Sequence, residues 1–233
     1  MKKAFTLAEV LITLGIIGIV AAMTLPTVIN NIQDKQFRTM FKKQYSIINQ
    51  ALLMTYESGD DIPNLEQSNW KDMIFYVCRI AKQLKYTDSG LKCAEIEAAG
   101  ESAEFQTQYS NSNVTWHKDG EWYNKKGEPQ ALNLGYEYMT FMLPDGVMIN
   151  FSCLRDVFVD VNGMRKPNTI GRDIFYFYIP QGKLYPSFFY KRDGLSMVNA
   201  CTGSYAVSIT RENYKQDCES GSGWGCSPMY ILD

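Results

Sequence analysis

Glu9 is the only charged residue between Lys3 and Asp34, set in the run MKKAFTLAEVLITLGIIGIVAAMTLPTVIN. An ionised carboxylate in an apolar helix costs on the order of 2.5 to 3.5 kcal/mol even on the lenient membrane-insertion scale, so Glu9 calls for a positive partner. A cut before Phe5 would supply one, because the freed α-amino group of one chain can neutralise the Glu9 carboxylate of a neighbour. Such a pair is worth far more in lipid or a packed helix bundle than in water. An ordinary secretory signal has no use for that carboxylate, although Val20-Ala21-Ala22 passes as a small-residue cleavage site.

The remaining chemistry-bearing residues lie downstream. The 6 cysteines are Cys78, Cys93, Cys153, Cys201, Cys218 and Cys226, and none forms a C-x-x-C pair. Zinc sites usually take ligands in close pairs and thioredoxin-like sites need C-x-x-C, so an even set of separated cysteines points to disulfides outside the cytosol. Sequence proximity suggests Cys78 with Cys93 and Cys218 with Cys226, leaving Cys153 with Cys201; the alternative is buried free thiols. The loop between Cys218 and Cys226 would expose Trp224, the preferred partner-contact residue because Trp is enriched at binding hot spots.

His117 is the single histidine, which removes most Ser/His/Asp, Cys/His and zinc-hydrolase schemes. Flanked by Trp116 and the turn-prone Lys118-Asp119-Gly120, it is expected at an exposed strand edge. Asp160, Asn162 and Asp173 bring side-chain oxygens around Gly163, but a twelve-residue EF-hand register lacks its closing Glu, and Arg165, Lys166 and Arg172 stand close by. An Asn-Gly turn held by local hydrogen bonds is the expectation. Calcium at Asp160, Asn162 and Asp173 is the weaker reading, and no cofactor is expected.

The elements that position these residues follow from pattern. Val10 to Leu25 carries no charge, and with Phe5 to Leu7 and Thr27 to Ile29 it reaches the ~20 residues that span a bilayer. Lys2 and Lys3 would hold the leader in the cytoplasm and place the bulk of the chain outside. Gly15, Gly18 and Pro26 weaken this helix. Phe37, Phe41, Tyr45, Ile48, Leu52 and Tyr56 then recur at helical spacing, so the helix continues to about Tyr56. Gly59, Asp60, Asp61 and Pro63 stop it. One joined helix of about 50 residues would be roughly 75 Å long, more than any bilayer needs, so its second half should pack on a globular head.

Ser68 or Asn69 can cap a second helix through Trp70, Ile74, Val77, Ala81 and Leu84. Thr87 to Asn113 reads as a polar loop tethered by Cys93. Tyr136 to Leu143 and Val147 to Leu154 flank Pro144-Asp145-Gly146 as an antiparallel hairpin, followed by strands at Val157 to Val161 and Ile174 to Ile179. The aromatic run from Phe175 to Tyr178 is read as core rather than a recognition surface. The expected fold is α+β: a long N-terminal membrane-spanning helix whose second half packs on a small antiparallel sheet. Its expected divisions are a leader over residues 1–4, a transmembrane helix over 5–29, an amphipathic continuation over 30–57 and a disulfide-bearing extracytoplasmic head over 58–233.

Lys and Arg total 23 against 25 Asp and Glu, without the positive field that nucleic-acid binding requires. No catalytic constellation is present in the sequence, so an enzyme is not expected. A signal-bearing or membrane-anchored binding protein is the alternative to a subunit built around the Glu9 pair.

Ala4-Phe5-Thr6-Leu7-Ala8-Glu9-Val10-Leu11-Ile12 resembles the processing motif of type IV prepilins and type II secretion pseudopilins. The resemblance covers residues 1 to about 30 and departs from the family at Ala4, where the leader usually ends in Gly. It implies that prepilin peptidase cuts between Ala4 and Phe5, that Phe5 is N-methylated, and that Glu9 is the assembly carboxylate. It also implies a pilin-like head, other pilin or pseudopilin subunits as partners, and an inner-membrane subunit that enters a periplasmic or extracellular filament. Local unwinding at Gly15, Gly18 and Pro26 on leaving the bilayer is part of the same implication. The segment VDVNGMRKPNTIGRDIF also resembles a stretch found in pseudopilin-like heads.

Overall fold

The computed structural model describes residues 6–57, 70–99, 114–118, 120–130, 139–152, 156–179, 183–186 and 209–232. The chain divides into two compact units, Met1–Gln36 and Phe37–Asp233. Helix α1, Leu7–Glu57, runs through the first unit and into the second, and Pro26 lies inside it.

In the first unit the large apolar side chains of α1 from Leu7 to Ile32 are exposed. They ring the helix instead of forming a stripe, the pattern of a helix surrounded by apolar matter on all sides. In the second unit the pattern changes. Phe37, Phe41, Gln44, Ile48, Ala51, Leu52 and Thr55 are buried, three to four residues apart, which makes one face of a helix.

That face lies on an antiparallel sheet of six strands in the order β1-β2-β3-β4-β5-β6. The strands are β1 (Asp88–Ser89), β2 (Thr140–Met142), β3 (Met148–Ser152), β4 (Asp156–Asp160), β5 (Ile174–Tyr178) and β6 (Tyr185–Pro186). Phe41 stacks on Phe175 and Phe177, with ring centroids 4.1 and 5.1 Å away, and Tyr45 sits 5.5 Å from Phe177. The β2–β3 turn is tied to the same helix. Lys43 Nζ donates to Asp145 Oδ2 at 2.8 Å, and buried Gln44 donates to the same oxygen at 3.1 Å. Burial alone would raise the Asp145 carboxyl, but Lys43 and the backbone N–H of Val147 outweigh it and leave the pKa below the usual carboxylate value.

The sheet is covered on both faces. Alternation along β4 and β5 sends Val157, Val159, Phe175 and Phe177 into the core shared with α1, together with α2 (Trp70–Leu84) and α3 (Cys93–Ala99). Phe158, Ile174 and Tyr176 point the other way, into a second cluster with Trp116, Trp122, Ile170, Ile209 and Trp224. Every residue of β3 and β4 is consequently buried. Sequence patterning shows both apolar faces for β5 but only one for β4, because the second face of β4 carries Asp156 and Asp160 beside Phe158. Their polarity hides a buried side.

Two expectations change here. The 87–113 segment is not wholly loop: Cys93–Ala99 forms α3, whose Ile96 is buried, while residues 100–113 lie outside the described set. The Cys218–Cys226 stretch, expected as a disulfide-closed surface loop, is flanked by α4 (Tyr214–Ser220) and α5 (Cys226–Leu232), which carry its two cysteines.

Candidate functional site

Thr6 immediately precedes the first residue of α1 and Glu9 stands three residues further on, the spacing of an N-terminal capping box. The Thr6 N–H and the Thr6 hydroxyl both donate to Glu9 Oε2 at 2.8 Å, and the Glu9 N–H donates back to Thr6 Oγ1 at 3.3 Å. The reciprocal pair satisfies amides at the helix start that have no partner in the helix itself. Thr-x-x-Glu before an apolar run is the signal that could have found Thr6 from sequence. Among the described residues the carboxylate's partners are thus a neutral hydroxyl and a neutral amide, which orient it without balancing its charge.

Behind this cap α1 is the one helix among the described residues long and apolar enough to cross a membrane. It is continuous through Gly15, Gly18 and Pro26, and a Cβ added at either glycine would meet nothing within 4 Å. The two glycines therefore leave the side of the helix open to a neighbouring body.

Residues 1–25 match the family model described as the Prokaryotic N-terminal methylation motif. The chain carries a prepilin-type methylation motif. The motif is characteristic of type IV prepilins and pseudopilins, and with the apolar helix that begins within it at Leu7 it fits an inner-membrane anchor. No curated protein and no solved structure matches the chain. Within the methylation motif, Thr6 and Glu9 are described, whereas Ala4 and Phe5 lie outside the described residues.

In the head, disulfides join Cys78 to Cys93 and Cys218 to Cys226, the pairings that proximity suggests. The first ties α2 to α3. Cys153 and Cys201 lie outside the described residues.

Trp224 is not the exposed contact expected of it: it is 3% exposed and packs edge-on against Tyr176 and Phe158. The loop turns inward because glycine removes the side chains that would hold it away. A Cβ on Gly171 would come within 2.6 Å of the Gly223 carbonyl, so the two backbones touch. Asp217 fixes the loop by accepting the Ser222 N–H, the Ser222 hydroxyl and the Gly225 N–H.

His117 also departs from expectation. It is 1% exposed, and its Nε2 lies 2.6 Å from Asp160 Oδ2. The expectation of an exposed edge rested on Lys118 to Gly120, but the partner that buries His117 is 43 residues away and invisible to local reading. Asp160 accepts the Asn162 N–H at 3.0 Å, and Asp173 accepts the N–H groups of Asn168 and Thr169 at 2.8 and 2.6 Å. These are Asx-type contacts within a loop that includes Gly163 at φ 67° and Asn168 at φ 52°. Both carboxylates thus receive N–H donors. Burial pushes the Asp160 carboxyl up to about 7, with the Asp173 charge adding to it and the His117 hydrogen bond opposing it. Burial also raises Asp173, against the pull of its backbone donors.

Proposed function

We propose that this chain is a pilin-like structural subunit, cut before Phe5 by prepilin peptidase, methylated there and assembled into a type IV pilus or type II secretion pseudopilus. The single observation that carries the reading is the methylation motif over residues 1–25, which runs into a helix whose apolar side chains are exposed all round from Leu7 to Ile32. Such a surface is stable only in lipid or against other apolar helices, and a filament core offers the second after the membrane has offered the first. The subunit waits in the inner membrane with its head outside the cytoplasm. Its partners are the peptidase and other pilin or pseudopilin subunits, and it catalyses nothing itself.

Glu9 contributes register. In the single chain its carboxylate is held by Thr6, pointing but uncompensated; in the filament the methylated amine of a neighbouring Phe5 would balance it. Gly15, Gly18 and Pro26 supply the stretch of α1 that yields when the subunit leaves the bilayer. The test is to shear surface and periplasmic filaments from cells and probe them for the head. Recovery of the head with filaments from the parent strain, and its retention in the membrane fraction with Glu9→Ala, are expected. A wild-type head found only in the membrane, or normal filaments from Glu9→Ala, would remove the assembly reading.

A further inference from the structure

Past Ile32, where the exposed apolar stretch of α1 ends, the helix carries charge again. Asp34 and Lys35 offset each other, and from Gln36 to Tyr56 the charged residues are Arg38, Lys42 and Lys43, with no carboxylate among them. All three cations are exposed. Lys43 is already engaged, because Asp145 in the β2–β3 turn accepts from its Nζ at 2.8 Å. Arg38 and Lys42 stand one helical turn apart, on a flank of α1 beside the buried row Phe37, Phe41 and Gln44. Neither forms an ion pair among the described residues. Arg38 is held by a neutral group instead: its guanidinium carbon lies 4.5 Å from the centre of the Tyr230 ring on α5. Helix α5 and strand β5, which pack on this part of α1, contribute no charged residue, and Asp233 lies outside the described residues.

Position along the helix decides what two such cations can serve. From Leu7 to Ile32 the helix rises about 38 Å, more than the ~30 Å of bilayer hydrocarbon, so the far end of that stretch already lies among headgroups. Arg38 and Lys42 follow Ile32 by about 9 and 15 Å of helical rise. Side chains on an α-helix lean towards its N-terminus, so both point back along α1 towards the apolar stretch, and their long stems carry the charge further that way. A guanidinium seated over a ring keeps its edge N–H groups available, and that edge matches two phosphate oxygens at once. We propose that Arg38 and Lys42 form a docking surface for anionic phospholipid headgroups at the point where α1 enters the head. The proposal rests on the part of the functional reading that puts α1 in a bilayer. Phosphates come within reach by chain connectivity alone, whereas an acidic side chain would have to be brought by a second copy.

A basic residue close to an anionic membrane surface strengthens the contact about fivefold, and the gain fades beyond a Debye length of about 8 Å at physiological salt. The pair should therefore select anionic over neutral lipid by about tenfold or more, and high salt should erase most of the selection. Lys2 and Lys3, at the other end of α1, can make the same kind of contact and have to be separated from it.

The experiment inserts the full chain into nanodiscs of equal parts phosphatidylcholine and phosphatidylglycerol, releases it into neutral detergent and counts the retained lipids by native mass spectrometry. Phosphatidylglycerol retained about tenfold over phosphatidylcholine is expected, with most of the excess lost in Arg38→Gln/Lys42→Gln and kept in Lys2→Gln/Lys3→Gln. Equal retention of the two lipids, an excess that survives Arg38→Gln/Lys42→Gln, or one that vanishes with Lys2→Gln/Lys3→Gln alone overturns the proposal. If Arg38→Gln/Lys42→Gln melts below the wild type, Lys42→Gln alone and the wild type at high salt decide: a reduced excess in both supports the surface, and an unchanged excess in either overturns it. Pairing of two copies in discs of phosphatidylcholine alone, lost in Arg38→Gln/Lys42→Gln, would assign these cations to a neighbouring subunit and overturn it as well. A chain that does not enter the discs removes the anchor and the docking surface together, whereas a chain that enters without the excess removes the surface alone.

Discussion

The two stretches of helix α1 answer to different surroundings. From Leu7 to Ile32 the apolar side chains point in every direction and are exposed; from Phe37 to Thr55 they occupy one face, buried against the head. Backbone and handedness are the same in both. What differs is whether the partner is outside the chain or within it. The first stretch lacks apolar surroundings of its own, while the second is complete, with Phe41 at 0% exposure against β5. An assembly subunit needs both conditions, since a head that folds alone can present a helix that does not.

The sharpest way to break that comparison is at Glu9. Glutamine serves a capping box as well as glutamate does, so Glu9→Gln keeps the bonds to Thr6 and removes only the charge. Loss of filaments in Glu9→Gln, with peptidase processing and head stability unchanged, is expected; normal filaments would reduce Glu9 to a helix cap. In the second stretch the opposite separation should hold. Phe41→Ala should destabilise the head by about 3 to 5 kcal/mol in denaturant melts, while leader cleavage is unaffected. Replacing Cys218 and Cys226 together by serine removes a short closed loop and should cost the head about 2 to 3 kcal/mol, read as an earlier melt with slower migration on unreduced gels absent. The smallest effect is expected at Lys43→Ala. Its partner Asp145 is more than a third exposed, so the loss is about 0.5 kcal/mol after solvent screening. Because the Asp145 pKa is lowered in the folded head, that contribution is present above about pH 4 and disappears on further acidification.

Sequence reading succeeds where the structure is made by periodicity and fails where it is made by distant pairs. The apolar ring of α1, its later stripe, α2 and the β2–β3 hairpin all show in residue spacing alone. Helix α3 does not, because seven residues with two buried positions, Cys93 and Ile96, are too short to display a period. Trp224 looks exposed in a Gly- and Ser-rich loop until Gly171 and Gly223 are seen to bring two backbones together. His117 sits among turn residues, yet Asp160 supplies what buries it. At the N-terminus, the methylation motif is legible from Phe5 and Glu9, and the part of Thr6 is carried by its capping-box spacing to Glu9, a signal overshadowed by the charge of the carboxylate.

The mass of the mature N-terminal peptide tests the central claim most directly. A chain that begins at N-methylated Phe5, lacking Met1 to Ala4, is the expected result. An intact Met1, or a chain that starts at Met23 after cleavage behind Val20-Ala21-Ala22, would contradict it and leave a plain anchor or an ordinary secreted protein in its place.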